Sequence, residues 1–110
     1  MANTFKNEVK DLTTSNQDLL AASEVTGTGI VLTLRCTNVD GTNDATVTVE
    51  VVKASSAGNA YIAYELAVPA DTTVELAGTS KLVLETGDKI QGLASAASDV
   101  EVFLSWLHIT

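Results

Sequence analysis

Hydrophobic and polar residues alternate with period two through most of this chain. In Gly29–Val39 (GIVLTLRCTNV), Ile30, Leu32, Leu34 and Cys36 interleave with Val31, Thr33, Arg35 and Thr37. In Ala45–Lys53 (ATVTVEVVK), Val47, Val49 and Val51 interleave with Thr46, Thr48 and Glu50. Alternation of this kind places one set of side chains against a core and the other toward water. Both segments are also rich in β-branched residues, which suit a pleated surface. Each is predicted to be a strand.

The pattern continues downstream. Asn59–Val68 (NAYIAYELAV) reads as a strand ending at Pro69, the only proline; proline lacks the N–H that a ladder needs and restricts the residue before it. Thr72–Leu76 and Lys81–Leu84 read as two short strands joined by AGTS. The turn ETGD (85–88) leads into Lys89–Ser95, and Val100–Ile109 (VEVFLSWLHI) forms a last strand after the small-residue loop AASD. The opening 25 residues are less decisive. TFKNEVKDL fits a strand with Phe5, Asn7 and Val9 on one side, and also a short helix with Phe5, Val9 and Leu12 on one face. Gln17–Glu24 is open in the same way. Strands are adopted for both, because everything downstream is β and sheet edges need cover. The expected fold is all-β: one antiparallel sandwich of about eight strands, jelly-roll-like, spanning 1–110 with 1–25 as a possible extended arm.

Composition changes this picture little. The 110 residues suit one core, since domains commonly hold about 100–150 residues. Cys36 is the single cysteine, so no disulfide within the chain is available, which favours synthesis in the cytoplasm. MANTFKNEVK lacks the apolar run of a signal peptide. No apolar stretch approaches the roughly 20 residues that span a bilayer, so a soluble protein with no membrane partner is expected. Six basic against fourteen acidic side chains give a net charge of −8. Nucleic-acid binding draws on clustered Lys and Arg, whereas Lys6, Lys10, Arg35, Lys53, Lys81 and Lys89 are scattered. No nucleic-acid partner is expected; the acidity instead keeps a β-rich chain soluble.

Candidate chemistry is sparse. NVDGTND (38–44) packs two Asp, two Asn and a Gly into seven positions. A helix–loop–helix calcium loop needs glycine at its sixth position and glutamate at its twelfth. Here Gly41 comes too early, and Val49 stands where the glutamate belongs. Asp-Gly between alternating apolar runs is a hairpin signal, because glycine tolerates positive φ. A turn is therefore expected, with a weak cation site through Asp40 and Asp44 as the alternative. Cys36 shares a face with Ile30, Leu32 and Leu34 and reads as a buried, inert thiol. His108, the only histidine, cannot build a histidine-rich metal site, and Ser105 three positions earlier points to the other face. Glu85 and Asp88 flank a turn and read as solvated. Gly27 and Gly29 in TGTG lack the lysine and helix of a phosphate loop. No catalytic residue, metal or cofactor is assigned, and an enzyme is not expected.

The last strand is the informative oddity. Val100, Val102, Leu104 and Trp106 line one face, while Phe103, Leu107 and Ile109 line the other. A sandwich strand is ordinarily apolar on one face only. Either the N-terminal segment covers the second face, or a neighbouring subunit does. The candidate interface residues are Phe103, Leu107 and Ile109, with Trp106 as an anchor if its face is exposed. Tyr61 and Tyr64, expected on opposite faces of their strand, pose a milder version of the same question.

Four stretches in order, TNVDGTNDATVTVEVV, LAVPADTTVEL, KLVLETGDKI and SAASDVEVFLSWLHIT, resemble small β-sandwich virion proteins of tailed bacteriophages. The resemblance covers roughly residues 26–110 and rests on turn-and-strand patterns. It implies a noncatalytic structural protein of the virion, made in the host cytoplasm. The leading expectation is a capsid decoration or cement protein that works as an oligomer, such as a trimer, with phage capsid or tail proteins as partners. A neck or tail adaptor and a carbohydrate- or receptor-binding module are the alternatives.

Overall fold

The computed structural model describes residues 2–55, 58–77 and 81–110. Nine strands follow one another: β1 (Asn3–Asp11), β2 (Gln17–Leu20), β3 (Thr28–Asn38), β4 (Ala45–Val52), β5 (Asn59–Val68), β6 (Thr73–Glu75), β7 (Leu82–Leu84), β8 (Lys89–Ala94) and β9 (Val100–Ile109). Both ambiguous N-terminal segments contain strands, although the second ends early and Ala22–Glu24 closes it as a 3₁₀ turn. Of the AGTS join, only Ala77 lies within the described residues.

Two antiparallel sheets form. One runs β1-β9-β3-β6, with β7 also on β3; the other runs β2-β8-β4-β5. The pairings are nested: first strand with last, β2 with β8, β3 with β6 and β7, β4 with β5. A long hairpin rolled up in this manner is the jelly roll, built from eight strand positions. Nine segments fill eight positions because β6 and β7 lie end to end along β3, one opposite Arg35–Thr37 and the other opposite Gly29–Val31.

The rolled topology corrects the reading of NVDGTND. It is a turn, but not a hairpin: β3 and β4 belong to different sheets, and the segment arches across the open end of the sandwich. Asn38 makes the arch. Its side chain is buried and donates through Nδ2 to the carbonyls of Asn43 (3.0 Å) and Val68 (2.9 Å), while its Oδ1 accepts from the Asp40 N–H. Among the described glycines, positive φ falls at Gly27, Gly58 and Gly87 and not at Gly41, so the turn is shaped by the Asn and Asp side chains.

The core lies between the sheets. Val31, Leu34 and Cys36 of β3, Val47 and Val49 of β4, Ile90 of β8 and Leu104 of β9 are buried there, with Leu12, Leu20 and Val25 from the N-terminal third. Trp106 is its largest member. The ring fits because residue 29 is glycine: a Cβ there would lie 3.2 Å from the indole. A register shift on β3 between Val31 and Thr33 lets this long strand keep both Val31 and Leu34 inward.

Candidate functional site

Side chains paired across antiparallel strands share a face, so the registers of β1, β9, β3, β6 and β7 define what the five-stranded sheet shows to the outside. Five rows cross it. Asn3, Ile109 and Thr28 form the first; Phe5, Leu107, Ile30 and Val83 the second; Asn7, Ser105 and Thr33 the third. Val9, Phe103, Arg35 and Glu75 form the fourth, and Asp11, Glu101, Thr37 and Thr73 the fifth. The second and fourth rows are apolar where they cross β1 and β9. Phe5 is 74% exposed, Val9 67% and Phe103 41%, and Leu107, Ile109 and Ile30 are half-buried.

Strand β1 produces much of this surface. Its apolar residues Phe5 and Val9 point outward, while Thr4, Lys6, Glu8 and Lys10 are paired with the inward residues His108, Trp106, Leu104 and Val102. Lys6 Nζ sits 5.5 Å from the centre of the Trp106 ring, a cation–π contact from an edge strand whose polar side turns toward its own body. Sliding β1 by a single residue would exchange the two sets. The strand therefore does not cover the outer face of β9; it lies beside β9 and extends that face.

Of the four residues singled out on β9, Phe103, Leu107 and Ile109 lie together on the outer face. Trp106 does not join them. It is 0% exposed and faces the other sheet. Its role is packing, and the anchor role is withdrawn.

Charge on the outer face is confined to the Arg35–Glu75 pair and to Asp11 and Glu101 at one end. Arg35 Nε lies 3.2 Å from Glu75 Oε1. Glu75 Oε2 accepts the N–H groups of Leu34 (2.8 Å) and Ala77 (3.1 Å). Burial alone would push the Glu75 carboxyl up, but these N–H groups and Arg35 outweigh it and hold it below the usual glutamate value.

The outer face of the four-stranded sheet has different chemistry. Gln91 Nε2 donates to Glu50 Oε1 at 2.7 Å, and Lys89 Nζ pairs with Asp18 Oδ1 at 3.2 Å. The tyrosines also differ from expectation. Two register shifts between β4 and β5, with Glu65 at φ 47°, turn β5 so that Tyr61 and Tyr64 share a side. Both are exposed, and their rings meet edge-on with centroids 4.8 Å apart. No glycine or proline marks these bulges, so the sequence carried no signal for them.

A shallow cavity of about 490 Å³ lies at one end of this sheet, lined by Lys53, Ala54, Ser55, Glu85, Thr86 and Asp88. Lys53 Nζ lies 2.7 Å from both Glu85 Oε1 and Asp88 Oδ2. Asp88 is buried and also accepts the N–H groups of Ala54 (3.1 Å) and Glu85 (2.9 Å). Burial would raise its pKa; the Lys53 ammonium and the two N–H groups reverse that and hold it below the ordinary aspartate value. The reading of Asp88 as solvated is therefore corrected. Its partner enters from the end of β4, far away in sequence, and every oxygen serves to pin the 85–88 turn.

The remaining candidates are structural. Asp40 Oδ1 accepts from Thr42 and Asn43, and Asp44 Oδ1 accepts from the Ala70 N–H. The Thr42 and Asn43 N–H groups lower the Asp40 pKa. Cys36 is buried, which pushes its thiol up to about 12, with Glu75 adding to the effect. His108 is buried with Nε2 2.6 Å from the Thr26 carbonyl, on the face of β9 opposite Ser105. Gly27 exchanges hydrogen bonds with Thr86 Oγ1, at 2.9 Å to its N–H and 2.7 Å to its carbonyl. Among the described residues no three His, Cys, Asp or Glu side chains gather as metal ligands, and no helix is long and apolar enough to cross a membrane.

Comparison with known proteins gives the architecture and nothing finer. No protein family matches the chain, and no curated protein matches it. Among solved structures it is similar to a chain from Bacillus endospore appendages, described as a novel family of disulfide-linked pili. The TM-score is 0.55 at 13% identity, covering 97% of this chain and 86% of that one. At that identity the likeness is one of fold. It agrees with the two packed antiparallel sheets seen here.

Proposed function

We propose that this is a noncatalytic structural protein that works by assembly, burying the outer face of its five-stranded sheet in an oligomer. The observation that carries this reading is the orientation of β1, which sends Phe5 and Val9 outward in line with Phe103 and Leu107. Buried apolar area is worth about 25 cal/mol per Å² before the costs of association. A strand that spends its apolar residues on the outside gains from them only when another surface arrives. With Cys36 buried, that contact is noncovalent.

The finer assignment is a bacteriophage virion protein, foremost a decoration or cement protein bound to the capsid shell, with a neck or tail adaptor as its nearest variant. The turn-and-strand resemblance over residues 26–110 supports it, as does a jelly roll, an architecture used by viral capsid proteins. Fold alone fixes no function, so the test is direct. Phe103→Asp is expected to give a folded monomer that neither oligomerises nor decorates particles. A variant that keeps both activities, or that simply unfolds, removes Phe103 from the interface.

One observation favours a second reading, a glycan-binding module. Tyr61 and Tyr64 form an exposed aromatic corner beside Glu50, paired with Tyr61, and Gln91, paired with Glu50. Aromatic faces next to hydrogen-bonding side chains suit an uncharged sugar, and jelly rolls also occur among lectins. Binding on an array of neutral glycans, lost in Tyr61→Ala, supports this reading; an empty array removes it.

A further inference from the structure

Building on the assembly reading, we infer that the partner on the five-stranded sheet is a second copy of this chain, packed face to face in antiparallel fashion about a two-fold axis through the Ser105 row. The row pattern points there. Apolar rows two and four flank the small polar row Asn7, Ser105, Thr33 at equal spacing, about 7 Å on either side. A two-fold axis across the strands at Ser105 lays β9 on β9 and reverses the row order. Leu107 of one copy then faces Phe103 of the other, and Phe5 faces Val9. Along β1 and β9 apolar residues meet apolar residues, the self-complementarity that an isologous interface demands, while Ile30 and Val83 come opposite the paired Arg35 and Glu75.

Charge selects the same arrangement. The chain carries a net −8, so two copies repel wherever acidic surfaces meet. On this face Glu75 is neutralised by Arg35, which leaves Asp11 and Glu101 at one end. Antiparallel packing sets that acidic end opposite the uncharged row of Asn3, Ile109 and Thr28. A parallel arrangement about an axis along β9 would stack Glu101 on its own copy.

Size fits a reversible contact. Five rows across four strand positions cover roughly 600 Å² per copy at ordinary sheet spacings, near the lower bound for specific interfaces. A dimer that forms and dissociates with concentration is expected.

The experiment is light scattering over a concentration series, joined to cysteine cross-linking. The native thiol is buried, so an introduced cysteine on the outer face is the reactive one. Facing sheets sit about 10 Å apart, within reach of a bismaleimide with a two-carbon spacer. Ser105→Cys is expected to cross-link to a covalent dimer in high yield, and Thr37→Cys is not, because the axis separates the two copies of residue 37. Phe5→Ser, on an exposed edge position, is expected to abolish both the dimer and the Ser105→Cys cross-link. A monomer at every concentration, cross-linking at residue 37 but not 105, or a dimer indifferent to Phe5→Ser overturns the proposal. The assembly reading fails separately, if Phe103→Asp stays folded and still assembles on particles.

Discussion

The two outer faces of the sandwich arise from the same alternation and reach opposite solutions. On the four-stranded sheet, outward positions hold Gln91 bonded to Glu50, Lys89 paired with Asp18, and Thr48, whose hydroxyl accepts the Glu65 N–H, beside Leu93 and Val52. On the five-stranded sheet, outward positions hold Phe5, Val9, Ile30, Phe103 and Leu107. Strand β9 contains the difference within one segment. Trp106 and Phe103 are three residues apart, one sealed in the core and the other 41% exposed. A residue's apolarity thus reports that it will be covered, and only the register reports by what.

The widest separation between the faces is expected from that pair. Trp106→Ala leaves a cavity between the sheets and should cost about 3–5 kcal/mol of folding stability, read from the midpoint of chemical denaturation. Phe103→Asp should change the same midpoint by less than about 1 kcal/mol while removing the oligomer. Equal losses from both would mean that the two faces of β9 are not distinct.

Acid probes the other sheet, whose end is pinned by charge. The Asp88 carboxyl titrates below its unfolded value of about 3.9, because Lys53 and two N–H groups favour its ionised form. Its contribution is present above the unfolded value and is lost as pH falls through the lower, folded one. Stability should therefore decline below about pH 4, and Asp88→Asn should flatten the decline while lowering stability at neutral pH by about 1–3 kcal/mol. Hydrogen exchange should place the first loss at residues 85–88. An unchanged acid limb in the variant would assign the decline to other carboxylates.

The smallest effect belongs to the tyrosines. Tyr61→Ala removes an exposed edge-on ring contact and should cost no more than about 1 kcal/mol, measured by thermal melting. A larger loss would show that the pair braces the bulges in β5 and is not a surface feature.

Much of this was legible in the sequence. The bounds of β5 and β9 follow from alternation and Pro69, and the pairing of Phe5, Asn7 and Val9 on one side of β1 was visible. What alternation could not supply was which side of β1 meets the core, since a strand slipped by one residue carries the same pattern. The arch at 38–44 looked like a hairpin because Asp-Gly describes only local geometry, whereas the choice of sheet is made by pairings as distant as Thr28 with Ile109. Asn38 held a clue, being a polar residue on the inward face of its strand. The Lys53–Asp88 clamp and the meeting of Tyr61 with Tyr64 depend on remote contacts and unmarked bulges, for which neighbouring residues give no sign.

The place of β9 in its sheet also bears on synthesis. The strand lies between β1 and β3, yet the ribosome makes it after both. A nascent chain that has reached residue 99 holds β1 and β3 with nothing between them, the ladder groups that face β9 unsatisfied and Trp106 not yet made. The five-stranded sheet must wait in an open form until β9 is out, and chains interrupted before β9 offer bare strand edges to proteases, chaperones and one another. Cells that make this protein in quantity are expected to accumulate it intact or not at all.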